Sequence, residues 1–572
     1  MGSSETSPKS YNDWPNHQGF NSSYEERTPV ELKVSGDIPS WAAGVLYRTG
    51  TGRSEIETDS KKIYKVAHWF DGMAVVHRFQ ILQPDAEHSS VRVIYNSRST
   101  CDGQIEQIRK TGRGKVMSFG AKYDPCTSYF KKVMSLFQPA PARDTTTPDM
   151  QSIAITLSVN FPGIDRTAKE KTSGHASGIQ TLTNKTDAAV FQTIDPETLE
   201  PIGVASQTVL HPDLKGPISA AHAKADPVTG DVYNFNLDLG RTPVYRVFTV
   251  SASTGQTSIL ATIDSARASY LHSFFLTKNY VILCIWNSFF AAGGAKILWH
   301  RNIVDAIENY DGSKPATWYV IDRRPADKGG KGLVATYESD PFFCFHTINA
   351  YEEPSPSGNG TDIVADIVTY PNLDVLKRFY LPNIISTSPT ASEYCSKINN
   401  NDRNRYKRFR LPTIPSTPSP KAKPQRATCE FTIDYKDAPE LPTLNPGYIT
   451  KPHRYVYGVT DTGKSSFLDG IVKIDTVTKK AVHWNYQGQN AGEPIFVPRK
   501  LAAGEEGQLD EDDGVLLSVV LDGFTGTSYL LVLDAKSMTE VGRAEVNGAI
   551  GFGFHGTHVP AVPVGKAAAV DF

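Results

Sequence analysis

The chain has 572 residues, 39% of them hydrophobic and 10% aromatic. That is enough core material for roughly three or four average domains, or for one large all-β unit. Lys+Arg 59 against Asp+Glu 61 gives a formal net charge of −2, so no bulk electrostatic attraction to nucleic acid is expected. The six cysteines (Cys101, Cys126, Cys284, Cys344, Cys395 and Cys429) lie far apart with no CxxC pair. This usage fits a reducing, cytoplasmic compartment and argues against thiolate-bound zinc. Even the most apolar stretch, FFLTKNYVILCIWNSFFAAGG at 274–294, is broken by Lys278, Asn279 and Asn287, so no membrane-spanning helix is expected.

In chain order, the opening MGSSETSPKSYNDWPNHQGF is polar and lacks the apolar core of a signal peptide. Its Met-Gly-Ser-Ser start has a faint likeness to a myristoylation signal. Residues 1–29 are read as a polar N-terminal tail, disordered over about the first 25, with the folded unit spanning 30–572. At 129–142, YFKKVMSLFQPAPA sets Phe130, Val133, Met134 and Phe137 at helical spacing around Lys131 and Lys132. The spacing predicts an amphipathic helix over 129–138, packed on the core or lying in a membrane interface.

From there the chain repeats one local pattern: a β-branched or aromatic run, a turn opening with Asp or Ser, and another such run. It occurs as TIDPETLEPIG (193–203), ADPVTGDVYNF (225–235), VSASTGQTSIL (250–260), KIDTVTKKAVHW (473–484) and VLDAKSMTEVGRAEV (532–546). Asp or Ser at the first turn position can accept from the backbone two residues on, which closes a hairpin. Hairpins spread over this length predict an antiparallel all-β array, and a propeller repeats such sheets with only short protected edges. Two segments break the pattern. Residues 383–427 are rich in Ser, Pro, Asn and basic residues and are read as a long surface excursion around one strand, RYKRFRL, whose charges face water. Residues 501–512 are read as an acidic loop, with Asp512 and Asp513 solvated.

Of 14 histidines, four lie at or near the start of a β-type run: His222, His272, His346 and His555. Taken singly, each fits a buried imidazole satisfied by a backbone carbonyl. Their separations of 50, 74 and 209 residues (272−222, 346−272, 555−346) match no local metal motif, neither HExxH nor HxxxH. Only a closed radial fold, each blade delivering one imidazole from its innermost strand, could bring them to one metal. The others have structural readings: His68 and His77 in strands or turns, His558 on the opposite strand face from His555, and His211, His300, His453 and His483 at the surface or in satisfied core sites. Glu352 and Glu353 are read as holding a blade turn.

At these residues the chain resembles the carotenoid cleavage oxygenases, a family that includes apocarotenoid oxygenases, stilbene-cleaving oxygenases and the retinoid isomerase of retinal pigment epithelium. The likeness runs from about residue 30 to 572 through GVLYRTGTG (44–52), AHWFDGMAVVHRF (67–79), SAAHAKADPVTG (219–230), LHSFFLT (271–277), FHTINAYEE (345–353), GEPIFVPR (492–499), DEDDGVLLSVV (510–520), LLVLDAKSM (530–538) and FGFHG (552–556). The resemblance implies a seven-bladed β-propeller with Fe(2+) on its axis under a helical and loop cap. It implies His222, His272, His346 and His555 as iron ligands, with a position left open for O2. It also implies three carboxylates behind the ligand rings: Glu493 in GEPIFVP, Glu440 in PELPTLN (439–445), and Asp187 ahead of PETL (196–199), where relatives usually carry Glu. Asp is one methylene shorter, so a longer or water-mediated bond to its histidine is expected. Ser273 replaces an Asp common in relatives directly after the second histidine, which leaves the hydrogen bonding around His272 open. Such a site suits imidazole ligands and needs carboxylates to fix tautomers and offset charge.

The function so implied is iron-dependent dioxygenase cleavage of a conjugated C=C bond in a carotenoid or apocarotenoid, giving aldehydes. Within the family the motifs are most similar to the fungal group, favouring torulene cleavage to β-apo-4′-carotenal over β-carotene cleavage to retinal. The rivals are a non-oxidative retinoid isomerase and a polyene-binding protein without chemistry. Partners are the polyene, O2 and peripheral membrane lipid, with a cytoplasmic protein held on membranes or lipid bodies. Stilbene-cleaving relatives carry Lys directly before the acid that occupies position 187, and here that position is Thr186.

Overall fold

The computed structural model describes residues 11, 13–114, 117–121, 143–144, 146–164, 179–356, 358, 360–397, 403–415, 417, 423–501 and 507–561. The expected amphipathic helix over 129–138 and Cys126 lie outside them.

The described chain is dominated by short antiparallel strands gathered into a propeller-like array. Five blades are separate sheets. In order of their first strands along the chain they begin at Arg143–Asp144, Ile218–Ser219, Phe275–Leu276, Thr347–Pro354 and Glu440–Thr443. Three are five-stranded and two four-stranded. Where a strand sits inside a blade, both faces meet neighbouring sheets and alternation disappears: every residue of Val232–Leu237, and of Gly44–Thr51, is buried.

Apart from the two-stranded pair Glu55–Glu57 and Ile63–Lys65, the remaining strands of the described residues form one continuous ten-stranded sheet, which corrects the expectation of seven separate blades. The reason is the strand Val30–Gly36. It pairs with Arg92–Ser99 on one side (Leu32 opposite Val93) and with Glu540–Glu545 on the other (Val34 opposite Ala544), so strands from the two ends of the chain are welded together. The last strand of that sheet, Gly553–Pro560, pairs with Gly44–Thr51 and sets His555 opposite Thr49.

Four of the five expected hairpin turns share one construction, and the fifth shares its closing residue. Asp195, Asp226, Asp475 and Asp534 each accept backbone N–H bonds from the residues two and three on, at 2.6–3.2 Å. Each of these turns then passes through a left-handed residue (Leu199, Gly230, Lys479, Met538) before the next strand, and the turn opening at Ser251 does so through Gly255. A sixth copy, at Asp522–Gly526, fits the same pattern.

Three sequence expectations are revised by packing. The polar N-terminal segment is not a disordered tail from Trp14 onward. Trp14 and Phe20 are buried, Asn16 hydrogen-bonds to Ile384, Ser386 and Ser466, and Phe20 lies edge-on to Trp69, Phe467 and Phe552. The basic strand within 383–427, Arg405–Ile414, is an inner member of the fourth blade rather than a water-facing excursion. Its Arg408 grips the fully buried Asp366 with two bonds of 2.7 Å, Tyr406 donates to the same carboxylate at 2.6 Å, and His453 Nε2 stands 2.9 Å away. Asp512, read as solvated, is buried and paired with Lys473 at 2.6 Å. Glu352 does hold a blade turn, accepting from Thr277 and Asn279.

Candidate metal centre

His222, His272 and His346 fall at the start of successive blades. His222 lies between the strands Ile218–Ser219 and Lys224–Ala225, His272 precedes Phe275–Leu276, and His346 precedes Thr347–Pro354. His555 arrives on the last strand, Gly553–Pro560. All four are buried, and one nitrogen from each falls within 4.8 Å of the others. The Nε2 atoms of His222 and His555 are 2.9 Å apart, and those of His346 and His555 3.3 Å. Imidazoles sharing one divalent ion at bonds of ~2.0–2.2 Å place adjacent nitrogens about 3 Å apart, which matches this spacing.

The outer nitrogens of three rings meet carboxylates. His272 Nδ1 is 2.9 Å from both oxygens of Asp187, His346 Nδ1 is 2.6 Å from Glu440 Oε2, and His555 Nδ1 is 2.7 Å from Glu493 Oε1. The shortened Asp187 therefore reaches its ring directly, at a distance 0.2–0.3 Å longer than the two Glu contacts. Each carboxylate is itself anchored. Tyr270 and Ala221 N–H donate to Asp187, Tyr370 and Leu441 N–H to Glu440, and Arg48 and Gly556 N–H to Glu493. Ser273 turns away to Thr347 at 2.6 Å and takes no part in holding His272.

These contacts test whether a cation belongs here. A neutral ring that donates Nδ1–H to a carboxylate keeps a bare lone pair on Nε2. Burial, followed by the neighbouring rings, holds His222 and His555 well below the ordinary imidazole value, so they are neutral. The Nε2 lone pair of His555, whose Nδ1 donates to Glu493, then points at the Nε2 atoms of His222 and His346, an arrangement that a shared cation makes favourable. Charge agrees in sign: the three carboxylates behind the rings outnumber the one guanidinium, Arg48, that touches them. Burial pushes Glu493 up to about 7 against the opposing pull of Arg48. Glu440, despite burial, is held below its usual value by His346, Tyr370 and the Leu441 N–H. Burial, reinforced by the adjoining carboxylate, raises the Tyr270 and Tyr370 hydroxyls well above their ordinary value and keeps them as donors.

Three of the four imidazoles, His272, His346 and His555, open onto a cavity of about 280 Å³ with an aromatic stretch of wall that includes Phe70, Phe345, Phe379 and Phe554. Their rings form a contiguous set, with Phe70 5.9, 5.6 and 5.3 Å from Phe345, Phe379 and Phe554. The other expected structural histidines are so placed. His68 caps the turn Trp69–Asp71 and contacts the Leu376 carbonyl, His77 meets the Tyr95 hydroxyl, and His558 meets the Ala42 carbonyl. Sequence reasoning missed Arg48, Tyr270 and Tyr370 as supports of the carboxylates. Arg48 lies inside the quoted GVLYRTGTG block and Tyr270 two residues before His272, whereas Tyr370 carries no signal in its neighbours.

A propeller-like all-β array converging four buried imidazoles and three anchored carboxylates on one point defines a metal-site protein. The family profile described as retinal pigment epithelial membrane protein matches residues 19–560, and the chain belongs to that family. A carotenoid dioxygenase of Neurospora crassa is 43% identical over 579 residues, 96% of this chain and 92% of that protein. A torulene dioxygenase of Fusarium fujikuroi is 40% identical over 574 residues, 97% of this chain and 95% of that protein. Among solved structures, a mutant of Synechocystis apocarotenoid oxygenase superposes with a TM-score of 0.70 at 20% identity, covering 97% of this chain and 100% of that one. The cobalt-substituted form of that oxygenase gives 0.68 at 20% identity, covering 96% and 99%.

Proposed function

We propose that the chain is an iron(II) dioxygenase that cleaves a conjugated C=C bond of a carotenoid or apocarotenoid to aldehydes, with His222, His272, His346 and His555 holding the iron. The observation that carries this reading is the aromatic cavity faced by three of the four rings. When bound, the iron supplies oxygen activation. The residues of the chain do the rest. Asp187, Glu440 and Glu493 fix the Nδ1–H tautomers and aim each Nε2 at the metal. Phe70, Phe345, Phe379 and Phe554 keep water out and hold a flat polyene by apolar burial, worth ~25 cal/mol per Å². Tyr270 and Tyr370 stay protonated as donors to the carboxylates.

Relatives of 40–43% identity named carotenoid and torulene dioxygenases support this class and, within it, torulene cleavage to β-apo-4′-carotenal. β-Carotene cleavage to retinal is the runner-up. Purified protein is expected to hold about one iron per chain, to consume O2 and to release aldehyde from the polyene. Aldehyde formation with O2 uptake separates this reading from non-oxidative isomerisation and from simple polyene binding. Full activity in His346→Ala overturns the site assignment. Thr186, in place of the lysine of stilbene-cleaving relatives, supplies no cation for a phenol, and a site lacking that polar partner loses orders of magnitude on such a substrate. Resveratrol is therefore expected to stay intact, and hydroxybenzaldehydes from it with untouched carotenoids overturn the substrate class.

A lipid-dissolved substrate calls for contact with a membrane. Among the described residues no helix is long and apolar enough to cross one. Peripheral binding through Phe130, Met134 and Phe137 is tested by liposome flotation of the triple Ser variant, which is expected to stay in solution with its iron retained.

A further inference from the structure

The cavity is not apolar all round. Next to Phe379 its lining includes Arg378, Arg403 and Asp461, with the exposed Asp374 and Lys377 on the same wall. Arg378 closes the short helix Asp374–Arg378 and is 9% exposed; Arg403 is 8% exposed. Both guanidiniums converge on one carboxylate. Arg378 Nη1 contacts Asp461 Oδ2, while Arg403 Nη1 donates to Oδ1 at 2.7 Å and to the Asp461 carbonyl at 2.6 Å. Arg403 is further fixed over the Tyr435 ring, 5.3 Å from its centroid. Arg378 thus shares its counter-charge, and its buried Nε has no hydrogen-bond partner among the described residues. A guanidinium can only donate, and one that lines the cavity beside the aromatic rings can take up an acceptor that a ligand brings.

We propose that Arg378 is a specificity-determining residue that receives the oxygen of a polar end group, an aldehyde or a carboxylate, on a polyene lying along the aromatic wall. This deepens, and rests on, the carotenoid-cleavage reading. The cavity admits a hydrocarbon carotenoid, which leaves the Arg378 donor unanswered, and holds an oxygen-ended apocarotenoid more tightly. A purely structural role, stapling the helix to the turn at Asp461, predicts no such discrimination.

The test measures binding, so it does not depend on turnover. Three probes of equal chain length in detergent micelles, an apocarotenal, the corresponding apocarotenoic acid and a hydrocarbon, are titrated against the iron-loaded protein by quenching of tryptophan fluorescence; Trp69 lines the cavity. The oxygenated probes are expected to bind roughly tenfold to a hundredfold tighter than the hydrocarbon. The preference should fall to near unity in Arg378→Met, which keeps the apolar stem, and be partly restored in Arg378→Lys. Circular dichroism and iron content establish that the variants are folded. Preference for both oxygenated probes marks the acceptor oxygen, and preference for the acid alone marks its charge. Equal affinity for all three in the wild-type protein, a preference that survives Arg378→Met, or one lost in Lys377→Met instead, overturns the proposal. A protein that shows the binding preference yet cleaves no polyene refutes the enzymatic reading and leaves this one standing.

Discussion

The three carboxylates behind the rings do one job by different local means. Glu440 is set by a neighbouring tyrosine and its own following N–H, Glu493 by Arg48 and Gly556 N–H, and Asp187 by Tyr270 and Ala221 N–H. Replacing Glu440 or Glu493 by Gln, or Asp187 by Asn, removes the charge and lets the ring adopt the wrong tautomer. Metal retention is expected to weaken about ten- to a hundredfold with the fold intact, measured by iron release to a chelator against circular dichroism. Unchanged release in all three variants would show that the rings need no such support. Tyr370→Phe should have a smaller effect in the same direction, since it removes only one of the bonds to Glu440.

At the scale of the element, the fourth blade is stapled from within by Asp366. Its carboxylate, fully buried on the strand Thr361–Thr369, takes Arg408 and Tyr406 from the next strand and stands 2.9 Å from His453. Burial alone would raise this carboxyl, but Arg408 and His453 outweigh it and hold it well below the usual carboxylate range. Because the folded value is depressed, the stabilisation is complete above about pH 4, the ordinary carboxyl value, and is lost as pH falls through the folded value. Asp366→Asn is expected to cost about 3–5 kcal/mol at neutral pH, read as a lower urea midpoint, because it leaves the largely enclosed Arg408 guanidinium without its counter-charge. The variant should also show a flatter loss of stability between about pH 5 and 2. A wild-type slope retained in the variant would place the acid sensitivity elsewhere.

At the scale of the whole molecule, closure and the metal centre are one structure. The last strand carries His555 and zips against Gly44–Thr51, with the register shifting between Thr49 and Gly50. A Cβ added at Gly50 would sit 2.3 Å from the Gly553 Cα, a backbone atom that cannot rotate away. Gly50→Ala therefore has to push the strand that delivers His555. We expect a loss of about 1–3 kcal/mol together with a fall in iron per chain. Gly312→Ala, where the added carbon meets nothing closer than 4.0 Å, is the control for both. A destabilised Gly50→Ala that keeps its full iron would uncouple closure from the site.

What the sequence determined by itself is local. The Asp- and Ser-opened turns are legible because a side-chain acceptor two residues from its donors needs nothing from the rest of the chain. The histidine blocks and the Glu440 and Glu493 motifs were legible as words of a family, since no spacing rule relates His222 to His555. The tertiary structure alone decided how far Asp187 reaches and where Ser273 turns, because an oxygen-to-nitrogen distance depends on how two blades seat against each other. It also decided that the strand Val30–Gly36 joins two sheets into one of ten strands. Arg408, Asp512 and Tyr370 show the same limit at single residues. A charge or hydroxyl reads as solvated until its partner, distant along the chain, is folded beside it, and long-range pairing leaves no periodicity for the sequence to display.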